Sequence, residues 1–283
     1  MASLEKKIDF ALVFTVKNAN PNGDPLNGNI PRVTLDGFGE LSDVCLKRKI
    51  RNRLLDAGNS IFVQSDDYRK DEYRSLKDRA EGMLTSDVVK DEQKLYQKAC
   101  ETWLDVRSFG QVFAFKGKDA AGVSVGIRGP VTIQSAFSVN PVSITSTQIT
   151  KSVNGEGNGS KKASDTMGMK HRVDFGLYTT FGSINCQLAE KTGFSYEDAE
   201  KIKKALFNIF ENDASSARPE GSMSVVELIW WEHSCKTGDY PSAKVHNTLK
   251  ITAKPGKETT AKSVEDFDIV LNSLDGLKPE ILK

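Results

Sequence analysis

The chain is short of the residues that most often announce chemistry. Its 283 residues hold four cysteines, Cys45, Cys100, Cys186 and Cys235, with no CxxC pair among them, so neither a zinc ribbon nor a small disulfide scaffold is indicated. They read as reduced, mostly buried thiols. Only three histidines are present, His171, His233 and His246, and none falls at HExxH or another ligand spacing. No Ser-centred elbow or Walker loop is present. Long apolar runs are missing too. The first apolar stretch, residues 8–16, follows Glu5-Lys6-Lys7 and is interrupted by Asp9 and Thr15. It therefore reads as neither signal peptide nor membrane span, which leaves the cytoplasm as the default compartment. Charge of one sign is not in excess either, at a formal +1. A nucleic-acid binder with this balance must cluster its cations locally.

What is there suffices for a globular protein: 38% apolar residues in a chain of this length bury a substantial core, in one elaborated domain or two small ones. Residues 8–17 alternate, with Ile8, Phe10, Leu12, Phe14 and Val16 against Asp9, Ala11, Val13, Thr15 and Lys17, which predicts a half-buried strand. It runs into Asn18-Ala19-Asn20-Pro21-Asn22-Gly23-Asp24-Pro25, where two prolines and a glycine dictate turns and a rigid loop. Ser42 is placed to cap a helix reaching about Ala57, with Leu46, Ile50, Leu54 and Ala57 in one stripe and Gly58 as its stop.

Residues 60–105 turn strongly charged and helix-like, and read as a surface insertion. Strand texture returns at 112–115 and 123–137. A second excursion, 140–175, contains a glycine-rich tract too polar to pack and reads as a long hairpin or arm. Ser195 and Asp198 match a capping box, with Ala199, Ile202, Leu206, Ile209 and Phe210 as the apolar face of the helix behind it. Strands are expected at 224–233 and 244–253. Without its two excursions, this order is an α+β, ferredoxin-like split βαβ core: an antiparallel sheet with helices on one face. RNA-recognition domains share that core with many unrelated proteins, so the fold alone assigns no function.

The strongest chemical signal is Lys47-Arg48-Lys49-Ile50-Arg51-Asn52-Arg53 on the first helix. Helical spacing places Lys47, Arg48 and Arg51 on one flank of the apolar stripe and Lys49 and Arg53 on the other. With Arg32 and Thr34, the first trio makes a ledge suited to phosphate oxygens, against the plainer reading of a solvated helix face. The 18–25 loop offers amide side chains and turn-exposed N–H groups to phosphate or ribose, or is a mere tight turn. The arm combines Lys151, Lys161, Lys162, Lys170, His171 and Arg172 with Met167 and Met169, which suits holding a strand while wedging against a base. Its plainer reading is a disordered surface loop. Gly155-x-Gly157-x-Gly159 lacks the strand-to-helix setting of a nucleotide loop. Asp24, Asp36 and Asp43 read as turn or cap residues, and His233-Ser234-Cys235 as a strand end beside a buried thiol. No catalytic residue, metal or cofactor is expected.

Taken together and in order, the first strand, Asn20-Pro21-Asn22-Gly23-Asp24-Pro25, Pro31-Arg32-Val33-Thr34, the basic helix, Asp105-Val106-Arg107-Ser108-Phe109-Gly110, Ile127-Arg128-Gly129-Pro130-Val131 and Trp230-Trp231 resemble the backbone subunit of the type I-C Cascade. That family lies in the RAMP superfamily of CRISPR-associated proteins, and the likeness covers most of the chain. The resemblance implies an RRM-like palm (1–59, 106–139 and 176–283), a helical finger insertion (60–105) and a β-hairpin thumb (140–175). It also implies copies stacked head to tail along a CRISPR RNA, each thumb displacing a guide base so that the others pair with target DNA, in company with other Cascade subunits and away from membranes. Phosphate-gripping roles would fall on Asn20, Asn22, Asp24, Arg32, Thr34, Lys47, Arg48, Arg51 and Arg128. The base wedge would fall on Met167 or Met169, with Lys170, His171 and Arg172 beside it. The sheet lacks an aromatic RNP1 pattern, so RNA is not expected to stack on it. Two rivals remain: a metal-dependent ribonuclease of the same superfamily, with Asp24 and Asp36 as suspects, and a general RNA-binding protein.

Overall fold

The computed structural model describes residues 3–115, 123–152 and 167–283. Its centre is an antiparallel sheet whose main path runs Glu280–Leu282, Met223–Glu232, Ile8–Ala19, Met167–Ile184, Ala136–Pro141, Phe38–Leu41. Two further strands, Val131–Ile133 and Ile144–Thr150, pair with the long strand Met167–Ile184. In chain order the first strand leads to the helix Asp43–Asp56, and the long strand leads to the helices Cys186–Thr192 and Tyr196–Phe207. Each strand–helix pair returns to a sheet position two places away, leaving the other pair's strand between.

Both faces of this sheet are covered. Phe10, Leu12, Phe14 and Val16 meet Leu46, Ile50, Ile202 and Leu206 of the helices. Ala11 and Val13 meet Ile229, Trp231, Val245, Leu249 and Phe267 on the opposite side. The first strand is therefore buried along nearly its whole length rather than half-buried, because the C-terminal residues form a second layer. Alternation counted Ala11 and Val13 with the polar side, although both are apolar and belong to a strand covered twice.

That second layer also corrects the expected strand at 244–253. Residues Ser242–His246 form a short helix, and only Leu249–Ala253 is a strand, paired antiparallel with Phe267–Leu271. Pro241, at φ −60°, precedes the helix as its cap. Val245 and Leu249 stand four apart, a spacing that serves a helical turn as well as the alternation seen in the sequence.

The basic helix forms where the sequence places it, and so does the helix behind Ser195, except that it ends at Phe207, which leaves Ile209 and Phe210 to pack from the turn beyond it. The Ser42 hydroxyl accepts the Cys45 N–H, and Ser195 and Asp198 complete a reciprocal capping box. The charged stretch before Trp103 is more than a surface excursion. The helices Leu76–Met83 and Glu92–Thr102 enclose a separate apolar cluster around Phe62, Trp103 and Phe113, whose rings lie 4.6 and 5.0 Å from Phe62. The hairpin of Gly110–Phe115 and Val123–Arg128 contributes Phe113, Val125 and Ile127 to this cluster and does not join the large sheet.

A short helix, Leu104–Phe109, locks the two units together. Arg107 donates two 2.9 Å hydrogen bonds to Asp198. Burial is the largest influence on Asp198 and pushes its carboxyl up, yet Arg107 and the Ser195 N–H together hold it below the usual value. Gly110 then turns the chain at φ +81°, where a Cβ would lie 2.2 Å from the Ile127 carbonyl oxygen.

Candidate nucleic-acid interface

The loop after the first strand, the start of the basic helix and the root of the arm meet at one end of the sheet. Ala19 pairs with Val173 of the long strand, and the Asn22 Oδ1 accepts both the N–H and the hydroxyl of Ser42, at 3.0 Å each. Two amides of this loop, Asn20 and Asn22, are turned inward, whereas Asn18 is exposed. Asn20 is buried; its Nδ2 donates to the Asn29 carbonyl at 2.7 Å and its N–H to the Ala217 carbonyl. The Asp24 Oδ1 accepts the Leu26 N–H and lies 3.4 Å from Arg32. The Thr34 hydroxyl accepts the Phe38 N–H. Asn20, Asn22, Asp24 and Thr34 thus shape the loop from within, while Asn18, Asn27 and Asn29 stand exposed beside Leu26 and Leu35.

The basic helix divides its cations by partner. Lys47 pairs with Asp43 one turn earlier at 2.9 Å. Arg51 donates to Asp105 at 3.0 Å and lies over the Phe109 ring, 5.1 Å from its centroid. Lys49, expected on a flank, is buried: it pairs with Asp213 and lies over Phe210. Burial pushes its ammonium below the usual lysine value against the pull of Asp213. Arg53 pairs with Asp56 and reaches the Tyr68 hydroxyl. Arg48 is exposed, with no ion-pair partner among the described residues. Of the expected trio, then, Arg48 presents a free guanidinium, Lys47 is half-neutralised, and Arg51 is committed to holding Asp105. Arg128 is exposed in the second unit, paired by register with Gly110 and so one residue from the ring under Arg51.

In the arm, Ile144–Thr150 and the start of the long strand pair so that Met167, Met169 and His171 lie opposite Thr150, Gln148 and Ser146. Residues two apart share a face, so both methionines and His171 project together while Lys170 and Arg172 project from the other face. Met167 and Met169 are 63% and 54% exposed. The His171 ring is held by the Ser146 hydroxyl at 2.7 Å, and Arg172 faces Asp174. The apolar wedge and its cations are therefore back to back rather than side by side. Lys161, Lys162 and the glycine-rich tract lie outside the described residues.

Sequence reading missed the 213–222 loop, which braces this end of the molecule. Asp213 joins Lys49 and Arg218, and Ala217 and Ser222 accept the N–H groups of Asn20 and Lys17. Arg218-Pro219-Glu220-Gly221 signals a turn, but no local pattern announces a pairing across more than 150 residues. Asp36 is exposed, and Asp43 opens the basic helix as expected. Cys235 corrects the expectation of a buried thiol: it is exposed, whereas His233 is buried between Asp9 at 2.9 Å and the Asp239 N–H. Among the described residues no helix is long and apolar enough to cross a membrane.

The described residues define an α+β protein with an antiparallel sheet covered on both faces, a braced loop at one end and exposed methionines on the stem of the arm. The chain belongs to the family described as CRISPR-associated protein Cas7, whose model matches residues 6–272. It is 28% identical over 280 residues to a CRISPR-associated protein Cas7 of Haloferax volcanii, covering 94% of this chain and 81% of that protein. Among solved structures it is similar to a chain of a CRISPR RNA-guided surveillance complex, pre-nicking, at 16% identity, with a TM-score of 0.48 over 80% of this chain and 75% of the other. A chain of a second CRISPR RNA-guided surveillance complex is similar at 15% identity, with a TM-score of 0.44 over 83% and 71%.

Proposed function

We propose that this chain is the CRISPR RNA-binding backbone subunit of a Cascade effector of type I-C, acting in the cytoplasm. Its sheet and two helices serve as a ferredoxin-like, RRM-like palm, the 60–105 helices as a finger and the 140–175 hairpin as a thumb. Copies stack head to tail along the guide, which is presented for pairing with target DNA alongside other Cascade subunits. Pairing then reads the sequence, while protein holds shape and phosphates.

The observation that carries this reading is the convergence, in a member of the Cas7 family, of the 20–34 loop, the free Arg48 and the exposed Met167 and Met169 at one end of the sheet. The covered sheet face supports contact through phosphates rather than base stacking on the strands. We assign the chain no catalysis of its own: of the two acids a ribonuclease reading would draw on, Asp24 is engaged by Arg32 and the Leu26 N–H, and Asp36, which is exposed, is the one the cleavage assay below tests.

The test is co-expression with a repeat-flanked transcript and the partner subunits, followed by sequencing of the co-purifying RNA. Repeat-derived ends support a guide, and a transcriptome-wide mixture points to a general RNA-binding protein. Evenly spaced cuts in complementary RNA with magnesium would reveal the ribonuclease instead. In a salt titration, Lys47→Glu with Arg48→Glu is expected to weaken binding across all sequences and to flatten the slope by about 0.7 for each phosphate no longer neutralised.

A further inference from the structure

A cavity of about 360 Å³ opens at the root of the arm, between the end of the first strand, the start of the long strand and the 258–262 loop. It lies on the sheet face away from the basic helix, since Phe175 and Phe267 in its wall belong to the C-terminal layer. Its walls are pinned: the Asn140 Nδ2 donates to the Glu258 carbonyl at 2.8 Å, and the Lys17 N–H donates to the Ser222 carbonyl.

Charge in this cavity is unevenly committed. The Asp174 carboxylate accepts the Thr145 hydroxyl at 2.9 Å and faces Arg172, and the Glu258 carboxylate accepts the Gly256 N–H. The two ammonium groups in the wall, Lys17 and Lys262, are exposed, and neither side chain has a partner among the described residues. The half-buried Phe175 ring in the same wall is backed by Phe267, 6.4 Å away between centroids. A flat aromatic wall with two unpaired cations matches a planar ring carrying a phosphate, and the volume falls at the lower end of the range for small-ligand sites.

We propose that this cavity seats one nucleotide of the bound strand, with its base against Phe175 and its phosphate between Lys17 and Lys262. The inference rests on the RNA-binding reading and adds a destination for a displaced nucleotide. Lys17 stands three residues before Asn20, and Ala19 pairs with the arm at Val173, so the cavity adjoins the root of the arm and the loop of the RNA-binding reading.

The experiment irradiates the purified ribonucleoprotein at short ultraviolet wavelength, digests it, and maps nucleotide–peptide adducts by mass spectrometry. An adduct on the peptide carrying Phe175 is expected. Adduct yield per bound RNA should fall at least about tenfold in Lys17→Glu with Lys262→Glu, since loss of even one of the two charge-assisted hydrogen bonds to phosphate would produce that change, and should return with arginine at both positions. Unaltered thermal melting certifies that the variant is folded. RNA present without that adduct, or an adduct indifferent to both lysines, overturns the proposal while leaving the RNA-binding reading intact. A protein cross-link at Phe175 in place of a nucleotide gives the cavity to a partner subunit and overturns it equally. Absence of RNA from the particle sinks the underlying reading and this one with it.

Discussion

Arg51 lies 3.0 Å from Asp105, and the same carboxylate accepts the N–H groups of Phe62 and Val63 at 2.7 and 3.0 Å. One arginine of the basic helix thus ties the large sheet's core to the chain segment that enters the second unit. Arg48, three residues away, has no ion-pair partner among the described residues. Arg51→Ala is expected to leave a buried carboxylate without its cation and to lower stability by about 3–5 kcal/mol. Arg48→Ala should stay within about 0.5 kcal/mol of the parent while weakening RNA binding. Chemical denaturation beside filter binding separates the two, and a large stability loss in Arg48→Ala would contradict the assignment.

Gly110 makes the turn into the hairpin with a backbone angle that side chains rarely adopt, beside a carbonyl that leaves no room for Cβ. Gly110→Ala should cost about 2–3 kcal/mol, read as a lower urea midpoint. Wild-type stability in that variant would show that the turn relaxes freely.

Met167 and Met169 share a strand face and rest mostly in solvent. Replacing both by alanine should leave stability within about 0.5 kcal/mol and remove the periodic chemical reactivity of displaced guide bases. Probing the assembled particle with a base-specific reagent tests this, and an unchanged reactivity pattern would take the wedge role from these two side chains.

The His246 Nε2 donates to the Gly182 carbonyl at 3.1 Å, stacks on Phe181 and lies 3.7 Å from the buried Asp9. Burial, the largest influence, and Lys7 nearby hold its pKa below the usual 6.5 despite the attraction of Asp9. A depressed histidine favours the neutral form in the fold. Its contribution is therefore full above about pH 6.5 and is lost as acidity passes through the folded value. Melting temperature should decline from about pH 7 to 5, and His246→Gln should flatten that decline. Equal slopes in both proteins would exclude His246 as the cause.

Local signals alone were enough for the two helix caps, the turn-rich loop and the presence of a hairpin in the arm. Each depends on residues within a few positions of one another: Ser42 with Cys45, Ser195 with Asp198, and alternating residues beside a tract rich in glycine. The family resemblance was likewise carried by short strings such as Asn20-Pro21-Asn22-Gly23-Asp24-Pro25.

Which polar groups remain available was decided only when distant segments met. Lys47, Arg48, Lys49 and Arg51 look alike in the sequence. Asp213 takes Lys49, Asp105 takes Arg51, and Arg48 stays exposed without an ion-pair partner among the described residues. The same holds for Asn20, captured by Asn29 and Ala217, and for the first strand, buried on its second face by residues more than 200 positions later. Periodicity specifies the face on which a side chain lies, because that follows from the backbone repeat. Whether that face meets water, a counter-ion or another layer depends on neighbours the local chain cannot specify, and those neighbours set what each charge is free to bind.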